Sequence, residues 1–364
     1  MESLTLYRKY RPQTFSDVVG QNHITKTLAN EILSGKVGNA YLFCGTRGTG
    51  KTSIAKIFSR AVNCIALRDN GDPCNECSAC IGLINGTIMD VSEIDAASNN
   101  GVEHVRALRN EVVYAPSAVK YRVYIIDEVH MMSTAAFNAL LKTLEEPPSH
   151  AVFVLATTEA HKVPLTVQSR CQRFDFRRIS VADIAGNLMR IAEQENFTLE
   201  QTAAEMLATL ADGAMRDALS NLEQCKNAED NVTLEVVQQI LGVASSEKYF
   251  DLTEAISKND TATALITTNE ILGKSGDASL FLTGLLAHFR DLATAKALDN
   301  PAAILELPSE VIAKLKKQAD ELDSNFIINC MQKICEILAI GKSAGMTKTL
   351  AESNIIIMCG GLVK

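Results

Sequence analysis

The chain predicts a mainly parallel, doubly wound α/β domain followed by helical domains, and three observations carry that prediction. A glycine-rich loop stands between a strand-like and a helix-like run. Two further buried strands end in polar residues and are separated by helices. Beyond about residue 180 the apolar pattern is helical, with no strand-like run.

The first strand is Ala40-Tyr-Leu-Phe-Cys44. The helix after the loop starts at Ser53, with Ile54, Ile57 and Phe58 on one face. Between them Gly45, Thr46, Arg47, Gly48, Thr49, Gly50, Lys51 and Thr52 satisfy G-x-x-x-x-G-K-[ST] at every fixed position. Glycines let backbone N–H groups converge on phosphate oxygens, and the helix N-terminus adds partial positive charge. Lys51 is expected to reach the β- and γ-phosphates of ATP and Thr52 to ligate Mg²⁺. The plainer alternative is a glycine-rich turn between strand and helix.

Ile88 to Asp95 alternates and reads as a strand; Ala96 to Gly101 is a loop; Val102 to Tyr114 reads as a helix that Pro116 ends. Tyr121-Arg-Val-Tyr-Ile-Ile-Asp127-Glu128 is apolar enough for a buried parallel strand. Its terminal acids fall where such sheets bind ligands. Asp127 is expected to hold the Mg²⁺ shell and Glu128 to polarise the attacking water; otherwise the strand merely ends in polar residues. A helix from Thr134 to Glu145 stops at Pro147-Pro148, and Ala151 to Thr158 is a further buried strand with a polar end.

Residues 1–40 form a polar, mostly helical lead-in. Its Tyr7-Arg-Lys-Tyr-Arg-Pro12 segment either packs against the nucleotide base or is a solvated arm. Cys64, Cys74, Cys77 and Cys80 suit a closed, tetrahedral, structural Zn²⁺ site, with an iron–sulfur cluster and four unrelated thiols as the alternatives. Cys44, Cys171, Cys225, Cys330, Cys335 and Cys359 read as small core residues. Ser180 to Asp183 and Thr198 to Gln201 read as helix-opening capping boxes. Leu282, Leu285, Leu286, Phe289, Leu292 and Ala293 make one core stripe. Ile327, Ile328, Met331, Ile334, Cys335 and Leu338 make another.

With 364 residues there is room for about two or three domains. The formal net charge of −8 argues against coating DNA by bulk charge, while a local basic surface stays compatible. No apolar run is long enough to span a bilayer, no signal peptide is expected at the N-terminus, and a cytoplasmic location follows as the expectation.

Several segments occur in a telling order: Tyr10-Arg-Pro, Val18-Val-Gly-Gln21, Gly45 to Thr52, Asp127-Glu-Val-His130, Leu140 to Pro148, Ser169-Arg-Cys171 and Met215 to Ser220. With the four cysteines they closely resemble the gamma/tau subunits of the bacterial DNA polymerase III clamp loader, which are AAA+ ATPases. The match covers residues 1 to about 242; the last third resembles the family only in being helical.

The resemblance implies an AAA+ domain over residues 1–179 with a zinc module at 64–80, a helical lid at 180–243, and an all-helical oligomerisation collar at 244–364. Arg11 and Val19 join Gly45 to Thr52 as nucleotide-binding residues. Arg170 matches the arginine finger that reaches ATP on a neighbouring subunit, Thr158 the sensor-1 hydroxyl that orients water, and Arg216 the sensor-2 arginine on the lid. Taken alone, Arg170 would be a surface ion pair and Arg216 a helix-surface charge. Implied partners are the other clamp-loader subunits in a five-membered arc, the sliding clamp and primer–template DNA, with no membrane. Arg106, Ser133 and Lys142 are the DNA-backbone candidates, and would otherwise be ordinary solvated residues.

The implied function is an ATPase within a DNA-directed DNA polymerase complex, a motor that loads the clamp onto primed DNA. The alternatives are another AAA+ motor of DNA metabolism or a low-turnover nucleotide-dependent scaffold. Longer relatives can carry a tail that binds polymerase and helicase; no tail function is assigned to this sequence.

Overall fold

A computed structural model of the chain describes residues 5–242, 246–275, 277–305, 307 and 309–360. They fall into two compact units, one up to Asn231 and one from Val232. The boundary expected between residues 243 and 244 lies outside the described residues.

The first unit is built on five parallel strands: β1 (Ala40–Cys44), β2 (Val91–Asp95), β3 (Arg122–Asp127), β4 (Ala151–Thr157) and β5 (Gln172–Asp175), in the order β2-β3-β4-β1-β5. The whole of β1 and β4 is buried, which is why both read as unbroken apolar runs rather than alternating ones. Successive side chains nevertheless serve opposite faces. Tyr41, Phe43, Ile125 and Val154 pack in one cluster with Ile24, Leu28, Ile54 and Phe58. These come from helices α2 (Asn22–Leu33) and α3 (Lys51–Val62), which follow the short α1 (Leu6–Lys9). Leu42, Tyr124, Ile126, Phe153 and Leu155 pack on the other face with Val105, Leu108, Phe137 and Leu140. The short α4 (Ser78–Ile84) belongs to the cysteine loop, and the second face is covered by α5 (Val102–Val112) and α6 (Thr134–Glu145). The doubly wound prediction therefore holds.

After β4 come a single turn, α7 (Leu165–Gln168), and the edge strand β5, whose only buried residue is Phe174. Helices α8 (Val181–Gln194), α9 (Gln201–Leu210) and α10 (Met215–Ala228) complete the unit. Ser180 caps α8 as expected: its hydroxyl accepts from the Asp183 N–H at 3.1 Å and donates to the Asp183 carboxylate at 2.8 Å. The second expected box is overturned. Thr198–Leu199 is an extended pair (β6), because the Thr198 N–H is taken by the Asp230 carbonyl at 3.1 Å. The residue preceding α9 is then Glu200, which makes no side-chain cap. The strand expected from Ile88 starts only at Val91. Asp90 is turned aside, its carboxylate accepting from the Ser117 and Ala118 N–H groups at 3.0 and 2.8 Å.

From Leu234 the regular elements of the second unit's described residues are helices: α11 (Leu234–Leu241), α12 (Ser246–Ser257), α13 (Thr261–Ser275), α14 (Ala278–Ala297), α15 (Ser309–Glu321), α16 (Ser324–Ala344) and α17 (Lys348–Met358). Leu282, Leu285, Phe289 and Leu292 of the first predicted stripe are buried with Ile327, Ile334 and Ile355. Two of the six residues of the second stripe depart from the core reading, since Ile328 is 51% exposed and Cys335 is exposed. Apolar character at helical spacing does not distinguish a core face from an apolar outer face. Cys171 is likewise only half-buried, whereas Cys44, Cys225, Cys330 and Cys359 are core residues as expected. No described helix is long and apolar enough to cross a membrane.

Candidate active site

The glycine-rich loop fills the turn from β1 into α3. Gly48 has φ +79°, and a Cβ on it would lie 2.7 Å from the Ala214 Cβ just ahead of α10. Gly50, at φ +102°, opens α3, where any other residue would be strained. Lys51, 5% exposed, donates from Nζ to the carbonyls of Gly45 and Thr46, both at 2.8 Å. Burial lowers its pKa, and the nearby Glu128 and Asp127 carboxylates pull it back up. The ammonium is thus held inside the loop and faces acid.

Across the loop, the Thr52 hydroxyl donates to Asp127 Oδ2 at 2.7 Å. This pairs a hydroxyl with a carboxylate, the hard oxygen donors that Mg²⁺ prefers. Asp127 closes β3. Glu128 follows with φ +47°, a left-handed backbone that turns its side chain out of the strand alternation. Its Oε2 accepts from the Thr158 hydroxyl at 3.0 Å and the Thr158 N–H at 3.3 Å.

Sequence reasoning missed a third neighbour. His130 Nδ1 lies 3.3 Å from Glu128 Oε2 and 3.1 Å from the Thr157 hydroxyl, while Nε2 lies 3.1 Å from Glu159 Oε2. The motif Asp127-Glu-Val-His130 contained it, but nothing in the pattern said the histidine would fold back under the carboxylate.

Arg47 to Thr52, Asp127 and Glu128 line a cleft of about 670 Å³, as do Arg11, Val19 and Arg216, whereas Gly45, Thr46, His130 and Thr158 do not. Arg11 Nε donates to the Ser53 hydroxyl at 3.1 Å. The Arg216 guanidinium lies over the Tyr7 ring, 4.9 Å from its centroid. A clasp that sequence reasoning also missed joins the N-terminal segment to α8. Glu195, just past that helix, accepts from the Tyr10 hydroxyl at 2.5 Å and pairs with Lys9 at 2.5 Å. Lys9 and Tyr10 lower the Glu195 pKa to about 2; burial, then Glu195, push that of Tyr10 up to about 12.

The other predicted residues lie outside this cleft. Arg170 pairs with Glu145 at 2.6 Å and donates to the Thr166 carbonyl at 2.6 Å. Arg106 pairs with Glu103 at 2.7 Å on an exposed surface, and Lys142 is exposed on α6. The Ser133 hydroxyl caps α6 by accepting from the Ala136 N–H at 3.2 Å. The Ser133 N–H donates to the Asn100 carbonyl at 3.2 Å, which sets the start of α6 beside the loop leading into α5.

Cys64, Cys74, Cys77 and Cys80 gather with all four sulfurs within 4.8 Å of one another. The 3.5 Å separation of Cys64 and Cys74 and the 4.0 Å separation of Cys74 and Cys80 can be compared with a zinc tetrathiolate. A tetrahedron with ~2.3 Å Zn–S bonds has edges of about 3.8 Å. Burial disfavours the Cys77 thiolate, but the N–H groups of Cys80 and Ile65 outweigh it and lower its pKa to about 6. Donors and spacing both fit Zn²⁺.

Three family models match the chain. They are the delta subunit of DNA polymerase III over residues 20–180, the ATPase lid domain of DNA polymerase III clamp loader subunits over 183–225, and domain III of DNA polymerase III subunits gamma and tau over 232–353. DNA polymerase III subunit gamma of Buchnera aphidicola subsp. Schizaphis graminum is 39% identical over 267 residues, 73% of this chain and 73% of that protein. The chain belongs to the gamma/tau family of DNA polymerase III subunits.

Within this gamma/tau family, subunit tau of Bacillus subtilis is 51% identical over 307 residues, 84% of this chain and 54% of that protein. Subunit tau of Escherichia coli is 39% identical over 319 residues, 86% and 50% respectively. The chain spans about half the length of these two tau subunits.

Proposed function

We propose that the chain is an ATP-driven motor subunit of a DNA polymerase III clamp loader, acting with other loader subunits on a sliding clamp and primed DNA, in the cytoplasm. What supports this most directly is one cleft that gathers the residue types ATP hydrolysis needs. Arg47 to Thr52 of the loop, Asp127 and Glu128 line this cleft, Thr52 donates to Asp127 and Thr158 donates to Glu128, while Arg170 is paired with Glu145 outside the cleft.

In this reading the loop and Lys51 bind the β- and γ-phosphates. Thr52 and Asp127 would hold Mg²⁺, which neutralises charge on the phosphoryl oxygens when bound. Glu128, steadied by Thr158, takes the proton of the attacking water. Arg216 leaves Tyr7 for the γ-phosphate as α10 closes, so nucleotide state sets the angle of the lid. Arg170 serves the ATP of a neighbouring subunit, where its guanidinium stabilises charge in the transition state, so turnover depends on assembly. Arg106, Ser133 and Lys142 contact the DNA backbone. The four cysteines hold zinc, and with every position filled by thiolate its role is structural.

Steady-state ATPase of the assembled loader with clamp and primed DNA tests the proposal. Arg170→Ala is expected to spare nucleotide affinity and lower turnover by ~10³-fold, and Glu128→Gln by ~10²-fold or more. A rate indifferent to Glu128→Gln overturns the enzyme reading. An equal Arg170→Ala loss in the isolated chain overturns action across subunits, and strand separation without any clamp dependence favours a different motor.

A further inference from the structure

The cysteine loop carries more than its thiols. Asp72, two residues before Cys74, is 2% exposed yet has no cation against its carboxylate among the described contacts. Its Oδ1 accepts from the Phe15 N–H at 2.6 Å and the Ser16 N–H at 3.3 Å. Its Oδ2 accepts from the Ser16 hydroxyl at 2.6 Å and Asn70 Nδ2 at 2.8 Å. On the other side of Cys74, Asn75 Nδ2 donates to the Gln13 carbonyl at 3.2 Å. Arg60 of α3, 7% exposed, donates to the same carbonyl at 2.8 Å. Residues on both sides of Cys74 therefore grip one stretch, Gln13 to Ser16, nearly sixty positions earlier in the chain.

That stretch opens directly onto the cleft. Gln13, Asp17, Val18 and Val19 line it, and the Asp17 carboxylate closes the turn by accepting from the Gln13 and Thr14 N–H groups at 3.2 and 2.9 Å. A buried carboxylate is tolerated only with its acceptor positions filled. Most of those filling Asp72 come from Phe15 and Ser16, so the order of the cysteine loop and the order of the cleft wall depend on one another.

We infer that the cysteine loop is a positioning element of the nucleotide site: Asp72 and Asn75, flanking Cys74, with Arg60, hold the Gln13–Ser16 stretch so that Asp17, Val18 and Val19 present a preformed wall to the bound nucleoside. This rests on reading the cleft as a nucleotide site. Preorganisation of this kind acts on affinity, because a loosened wall must be ordered again at each binding event. Asp72 and Asn75 touch no phosphate-binding residue, so their effect travels through the wall alone.

The test uses the full chain with Asp72→Asn and Asn75→Gly. The second removes the side chain while suiting the left-handed backbone at this position, φ +61°. Readouts are equilibrium affinity for a fluorescent ADP, amide hydrogen exchange over residues 13–19, and zinc content. Asp72→Asn is expected to weaken ADP binding ~10-fold and Asn75→Gly ~3-fold, both with faster exchange over 13–19 and zinc retained. Wild-type affinity alongside faster exchange overturns the inference, and so does unchanged exchange in both variants. If Asp72→Asn does not fold, Asn75→Gly decides by the same criteria. Lys51→Ala run in parallel separates the two readings: ADP affinity unmoved by Lys51→Ala removes the nucleotide site itself, whereas affinity lost there but intact in Asn75→Gly removes only the role of the cysteine loop.

Discussion

Replacing Thr158 with valine removes one hydroxyl at nearly constant shape, and the structure says what that hydroxyl does. It donates to Glu128 Oε2 at 3.0 Å, in a set that also holds the Thr158 N–H and His130 Nδ1, each at 3.3 Å. A hydrogen bond to a charged group is worth ~1.5–3 kcal/mol. The Glu128 side chain is 34% exposed and keeps its two longer partners, which argues for the lower part of that range. A loss of about 1.5–2 kcal/mol corresponds to a fall in kcat of about 10- to 30-fold. ATP affinity should hold, since Thr158 makes none of the loop contacts. Single-turnover hydrolysis in the assembled loader, set beside equilibrium binding of a non-hydrolysable ATP analogue, separates the two quantities, with Thr158→Ser as the control that restores the hydroxyl. Unchanged or raised kcat in Thr158→Val would refute the reasoning, as would an affinity loss as large as the rate loss.

Lys51→Ala should weaken ATP by ~100-fold or more, about 3 kcal/mol, because the loop carbonyls it now satisfies cannot themselves meet phosphate; calorimetric titration checks this. Metal analysis should find about one zinc per chain, and a chelator or Cys77→Ser should lower both the metal content and the melting temperature. His288 is buried against Gln318 in the second unit, and burial lowers its pKa to about 4 from an ordinary 6.5. Between those values the unfolded chain takes up the proton more readily than the folded one, so stability should fall as pH drops from about 6.5 to 4, by at most about 3 kcal/mol. Denaturant titrations of His288→Leu across that interval should show a flatter pH dependence.

The phosphate loop, the acids ending β3 and the thiolate spacing were legible because each is a local pattern whose chemistry demands particular residues at particular intervals. The strands β1 and β4 were legible because burial on both faces leaves an unbroken apolar run. What escaped was whatever depends on partners distant in sequence. Asp72 reads as a turn residue until Phe15 and Ser16 are seen against it, and Glu195 as a helix-surface acid until Lys9 and Tyr10 arrive. Thr198 has the composition of a cap but donates its N–H to Asp230. Cys335 and Ile328 have core composition and face outward. The edge strand β5 was missed because only Phe174 along it is buried.

The strand ladder governs how the chain tolerates change in length. Cys44 stands opposite Thr157 and Ile126 opposite Leu155, so the ends of β1, β3 and β4 form one row from which loop, acid and hydroxyl all project. Insertions in the surface turns between these strands leave that row untouched. A single residue added inside β4 would carry Thr158 out of step with Glu128 and exchange the two faces of the strand at once. Drift in length is therefore tolerated at the periphery and forbidden along three short central segments, a division set by hydrogen-bond pairing before any substrate arrives.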